Sequence, residues 1–185
     1  VLFGMTATFL SYGALMSFQG LWSVPFIIDV YGTSRTYASS LMTLLPIGYV
    51  VGSFVLGKLF DTRFGNLTYR AGYCLTLSIY IMLAIFLHQI PLSMIGPIVF
   101  ILGFSHSIFS FLMRTYTEVI PQAHFGSTMG IANAMPLLGG VVLQPLTGYI
   151  FDAFGQAGPG YPLIAYRSFF IFLVGVLALG TFLAF

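Results

Sequence analysis

Charge is scarce in this chain. Its 185 residues include six Lys or Arg and four Asp or Glu, 5% in all, where soluble domains average about 25%. So few charged side chains cannot cover the surface of a water-soluble protein of this size. They also cannot build the basic surface that a nucleic acid requires, so no nucleic-acid partner is expected. Cysteine is nearly missing: Cys74 stands alone, which excludes an intrachain disulfide framework. There is no H-E-x-x-H, no C-x-x-C and no phosphate-cradling loop, so neither a metal nor a cofactor is expected. Gly48-x-x-x-Gly52 reads as close helix packing. Ser105 and His106 are adjacent, and neighbours on a helix point about 100° apart, which is wrong for a nucleophile and its base. An enzyme is not expected.

What the chain has in abundance is apolar length. Hydrophobic residues make up 58%, with 20 Phe and 11 Tyr, and the mean hydropathy is +1.00. A lipid bilayer solvates such an exterior, and a spanning helix needs about 20 mostly apolar residues. Six stretches qualify: 3–28, 37–60, 69–89, 93–119, 126–151 and 166–185. They are too long, and alternate too little, for membrane strands. The fold class expected is an all-α membrane protein, a bundle of six transmembrane helices. The chain starts at Val1 without a basic n-region and cleavage site, and ends at Phe185 within an apolar run. A fragment of something longer is expected.

An internal repeat accompanies the spans. Helix two ends Pro46-Ile47-Gly48 and then Gly57-Lys58-Leu59-Phe60-Asp61-Thr62-Arg63-Phe64-Gly65; helix five ends Pro136, Gly139-Gly140 and then Gly148-Tyr149-Ile150-Phe151-Asp152-Ala153-Phe154-Gly155. Gly57 and Gly148 are 91 positions apart, as are Asp61 and Asp152. Three helices fill that offset, and an odd number of crossings inverts the second copy in the membrane. Two inverted three-helix repeats are therefore expected.

These segments resemble a known family. Gly57-Lys-Leu-Phe-Asp61-Thr-Arg63-Phe-Gly65 is similar to the loop signature G-x-L-x-D-R-x-G-R-R of the major facilitator superfamily. Gly57, Leu59 and Asp61 fall in place; the arginine is displaced to Arg63 and the glycine to Gly65, and Asn66 stands where the closing basic pair would begin. Gly126-Ser-Thr-Met-Gly130-Ile-Ala-Asn133, with Gly139-Gly140, Pro145, Gly148 and Asp152, resembles the eleventh helix of that superfamily. Gln19-Gly-Leu-Trp22-Ser-Val-Pro25-Phe, with Asp29 and Gly32, resembles the seventh. The resemblance implies that residues 1–185 are the carboxyl-terminal half, helices seven to twelve, of a secondary active transporter. It implies alternating access, a missing amino-terminal six-helix half as partner, and a small polar solute or organic anion as cargo, with a proton as the candidate coupling ion. The location it implies is the bacterial cytoplasmic (inner) membrane. The alternatives are a non-transporting receptor or assembly module, and a half-size carrier acting as a homodimer.

Candidate site residues follow from polar side chains inside the spans, which are functional hypotheses by default. On helix four, Gly103, His106, Ser107, Ser110, Arg114 and Thr117 share one face. His106 lies near mid-membrane and can bind solute or carry a proton, its reference pKa being ~6.5. A neutral His bonded to a nearby Ser or carbonyl is the plain alternative. Arg114 attracts an anion or simply snorkels to the edge. On helix one, Gln19 can bond a solute and Trp22 can stack on it or anchor the interface. On helix five, Asn133 and Gln144 share a face, as solute contacts or packing groups, and Pro136 and Pro145 interrupt the ladder. Gly57, Asp61 and Arg63 form a candidate conformational latch, or a plain charged turn.

The turns between helices two and three and between four and five share one side. That side has Lys58, Arg63, Arg70 and Arg114 against Arg35 and Arg167 on the other, so the positive-inside rule makes it cytoplasmic. In a Cys74-free background, a cysteine at residue 63 should resist an impermeant thiol reagent added outside, and one at residue 158 should react. Outside labelling at residue 63 overturns the topology.

Overall fold

The computed structural model describes residues 2–109, 111 and 120–184. Among these, six helices are long and apolar enough to cross a membrane. They are α1 (Leu2–Tyr31), α2 (Arg35–Phe60), α3 (Gly65–Phe86), α4 (Leu92–Phe109), α5 (Gln122–Phe154) and α6 (Leu163–Ala184). The expected spans are all present. The expected continuation of helix four to residue 119 lies outside the described residues.

The helix ends have local causes. α1 runs on past the expected residue 28 and stops at Gly32, which adopts φ +65 and donates its N–H to Ile28 O at 2.8 Å. Ser34 then caps α2 by accepting from Tyr37 N at 3.3 Å. A turn at Thr43 divides α2, where Pro46 removes the donor that Met42 O would have received. α1 carries a π-helical turn at Phe18–Trp22, directly before Pro25. Pro25 denies Leu21 O its α-helical partner, and the wider turn absorbs the mismatch. The prolines of helix five interrupt its ladder without breaking the helix. Pro136 and Pro145 each delete one ladder bond, but the α-helix continues from Phe125 to Phe154.

Packing reveals the repeat. α5 lies along α1, and α4 lies along α2; these are the two most extensive helix interfaces. Exchanging helices one, two and three for four, five and six turns either pair into the other. The match extends to atoms. A Cβ on Gly48 would collide with Phe100 O, and a Cβ on Gly139 would collide with Phe9 O. Gly48 and Gly139 are 91 positions apart, and so are Phe9 and Phe100. One crossing is therefore built twice at the offset that the loop residues showed. Gly52 against Phe104 O and Gly103 against Leu45 O complete the α2–α4 contact; Gly13 against Gly139 completes α1–α5. α3 and α6 pack together behind, α3 also touching α4 and α6 touching α1.

The largest core cluster joins all six helices, around Phe18, Phe26, Tyr80, Phe151, Tyr166 and Phe170. A smaller one gathers Met5, Tyr73, Ile108, Phe109 and Ala132.

The glycine crossings carry a test. Gly139→Ala forces a methyl into the main chain of α1, so it should destabilise the protein by about 1–3 kcal/mol. Gly148→Ala meets nothing within 4 Å and should leave stability unchanged or slightly raised. Thermal unfolding in detergent separates the two; equal melting temperatures would contradict the contact.

Candidate functional site

Two cavities open along α1. The deeper, about 320 Å³, is lined by Thr8, Tyr12 and Met16 of α1, Phe109 of α4, and Asn133, Pro136 and Leu137 of α5. The outer one, about 440 Å³, lies where α1, the start of α2 and the α5–α6 loop meet, and Gln19, Asp29, Arg35, Gln156 and Tyr161 supply its polar lining. Both volumes suit a small solute.

The deeper cavity owes its polarity to three side chains. Thr8 donates to Gly4 O at 2.8 Å, so its hydroxyl is committed to its own helix. The Tyr12 hydroxyl pairs with that of Tyr49 at 2.6 Å, tying α1 to α2. Asn133 is exposed, and its amide has no partner among the described residues. Asn133 is thus the group with free donors and an acceptor.

His106 sits behind this cavity. It is 0% exposed, and the main chain of Ser11 lies beside its ring, short of good hydrogen-bond geometry for either nitrogen. Its ring meets Tyr12 edge-on at 5.5 Å and Phe109 at 4.3 Å. Both of those rings line the cavity. Ser110 and Arg114, the other candidates on this helix, lie outside the described residues.

The remaining candidates are spread over the two ends. Gln19 is exposed in the outer cavity. Gln144 lies between the cavities and donates from Nε2 to Met16 O at 3.1 Å, just before the π turn. Trp22 is half-buried: its indole stacks on Phe151 at 3.6 Å and 12°, and Nε1 donates to Thr147 Oγ1 at 3.0 Å. Both polar side chains therefore hold α1 to α5. Gly57, Asp61 and Arg63 stand at the far end of α2. The open side of Gly57 faces the Phe111 ring, where a Cβ would come within 3.2 Å. The Arg63 guanidinium lies 4.8 Å over the ring of Phe64.

Asp29 entered the sequence analysis only as part of the segment resembling a seventh helix, and its role is larger. Its Oδ2 accepts from Tyr161 N at 2.9 Å and from the Tyr166 hydroxyl at 2.6 Å. It fixes the α5–α6 loop and the start of α6 to the end of α1. Gly160 makes room, since a Cβ there would run into the carboxylate. The partners are 132 and 137 residues away, so no local pattern announces them.

Asp29→Ala should release this loop. Limited proteolysis should cut between residues 155 and 162 at least tenfold faster than in the parent, the effect of losing about 1.5 kcal/mol or more of hydrogen bonding to a charged group. Unchanged cleavage would remove Asp29 from this role.

A comparison with protein families gives a match to the model described as Major Facilitator Superfamily, covering residues 4–185. No curated protein matches the chain.

Proposed function

The chain belongs to the Major Facilitator Superfamily, and from that premise we propose that it is the carboxyl-terminal six-helix half of a secondary active carrier for a small polar solute. The protein is an integral, multi-pass membrane protein of a transporter family. The observation that carries the finer reading is the deeper cavity, with the unpartnered amide of Asn133 beside the tethered hydroxyl of Tyr12.

The cavity is open, which accords with a second wall supplied by a partner half. α2 and α5, equivalent in the repeat, are the least buried spans, at 22% and 28% of their apolar windows against 39% or more for the others. Their outer faces carry Ile47, Val50 and Phe54 on α2 and Leu137, Val141 and Tyr149 on α5. The amino-terminal half would cover part of these faces and close the cavity. Rocking one half against the other then exposes Asn133 to each side of the membrane in turn. No charged side chain lines the deeper cavity among the described residues, which favours a polar, uncharged cargo. An organic anion is the second class, recruited through Arg114. His106 is the coupling group. It is a titratable side chain inside a span and one ring away from the cavity. Gly57, Asp61 and Arg63 act at the mouth as the latch that favours one conformer. The bacterial cytoplasmic membrane is the proposed location.

Proteoliposomes holding the full-length carrier test this reading with a solute screen under an imposed pH gradient. His106→Gln should abolish gradient-driven accumulation while exchange of bound solute persists. Asn133→Ala should raise the apparent KM about tenfold, the loss expected from one or two hydrogen bonds to cargo. Accumulation that survives His106→Gln at the parent level would remove the proton from this residue. An unchanged KM in Asn133→Ala would move the solute elsewhere.

A further inference from the structure

We propose that Tyr12, held in place by Tyr49, is the shutter that closes His106 off from the solute cavity, which makes the two tyrosines positioning residues for coupling. The inference deepens the proposed function and rests on the reading of His106 as the coupling group.

It begins from an imbalance. His106 is fully buried, and the main chain of Ser11 is the hydrogen-bonding group beside it, short of good geometry for either ring nitrogen. Native proteins pair nearly all buried polar side-chain atoms, with protein or with ordered water. Ser11 can serve one nitrogen at most, so the other is set for a partner that arrives in another conformation, and for an imidazole that partner is water or a proton. The question becomes what stands between His106 and water.

Two rings stand there. Phe109 and Tyr12 both contact the imidazole and both line the deeper cavity. They differ in how firmly they are held. Phe109 is 1% exposed and packs against Tyr73 of α3 with ring centroids 4.4 Å apart. Tyr12 is half-buried at the cavity wall, and its hydroxyl bonds across to Tyr49 on a different helix. The pieces that hold Tyr12 over His106 thus come from α1 and α2. A shift of α1 against α2 breaks the hydroxyl pair and lets Tyr12 swing toward the cavity, which admits water to the imidazole. In the closed arrangement the titratable groups near it among the described residues include Tyr12 of α1, Tyr49 of α2, and Tyr73 of α3 beyond Phe109. The hydroxyl bond thereby ties proton access to helix motion.

Carbethoxylation of histidine by diethyl pyrocarbonate, read residue by residue by mass spectrometry on the full-length carrier in liposomes, measures this access. His88 and His124 are exposed and serve as internal references. In the parent, His106 should react far more slowly than either. Tyr49→Phe removes the tether while keeping the ring, and should speed His106 three- to tenfold relative to His88, about the change in an opening equilibrium when one hydrogen bond is lost. Tyr12→Phe cuts the same bond from the other side and should also speed His106, so a folding defect in one variant leaves the other to decide. Rates unchanged in both single variants, or a parent His106 as reactive as His88, each overturn the shutter. The labelling needs no transport assay. Its failure leaves proton coupling through His106 standing, and failure of His106→Gln to uncouple transport leaves the labelling result standing.

Discussion

At Gly48, Gly52, Gly103 and Gly139 the main chains of neighbouring helices come so near that a Cβ would not fit, an approach possible only because glycine carries none. Lipid tails are as apolar as leucine, so nothing like the hydrophobic effect in water drives helices together inside a membrane. Association there depends on close packing. Gly48 and Gly52 bring α2 onto the carbonyls of α4, and Gly139 brings α5 onto the carbonyl of Phe9 in α1. Each of the two inner helices is thereby clamped to a flanking partner. The inner helices meet each other differently, through side chains: Tyr12 of α1 touches His106 and Phe109 of α4. A bundle built this way is stiff along its two clamped pairs and softer between them. The soft seam is where the deeper cavity and the buried imidazole lie.

Polar side chains are costly in such an interior, and their partners sort them by role. Trp22 and Gln144 spend their donors on Thr147 and on Met16 O, which binds α1 to α5. Asp29 spends one oxygen on two donors and closes the outer end. Thr76 and Ser105 pair at 2.9 Å and join α3 to α4. Among the groups outside these pairings are Asn133 with its amide open to the cavity, Gln19 open to the outer one, and His106, enclosed like the hydroxyls of Ser11 and Tyr80. Groups whose bonding is complete hold the scaffold, and groups whose bonding is incomplete are the ones able to meet cargo or a proton. On this ground Trp22 and Gln144 belong with the scaffold, and Asn133 and His106 are the residues on which the proposed cycle rests.

How much of this could be read from the chain divides along physical lines. The spans were legible because apolar length is a strong and local signal, and so was the repeat, because Gly57 with Gly148 and Asp61 with Asp152 keep one offset. The glycine clamps were legible in kind at Gly48-x-x-x-Gly52, but not in partner, since the carbonyls they meet belong to other helices. Helix defects were half legible. Proline marks where a ladder loses a donor, yet α5 absorbs two prolines while α1 widens into a π turn ahead of one. Surrounding packing decides that outcome. In the site, the polar face of helix four pointed to His106, but nothing in sequence spacing joins it to Tyr12 or joins Tyr12 to Tyr49. Asp29 was missed for the same reason: its partners are distant in the chain and only the fold brings them near.

The π turn of α1 bears on how the two cavities relate. Met16 lines the deeper cavity; Gln19, Gly20 and Leu21 line the outer one. The turn at Phe18–Trp22 is therefore the stretch of backbone that separates them. It is also the place where α1 is intrinsically weakest, because Pro25 withholds a donor from Leu21 and the ladder changes register. Two side chains of α5 brace it, Gln144 from below at Met16 and Thr147 from above at Trp22. A bend at this turn would change how the two cavities are separated while leaving the clamp at Gly13 and Gly139, one turn earlier, in place. The weak turn and its support thus sit on the same pair of helices. α5 can hold the weak turn because it stays α-helical through both of its own prolines.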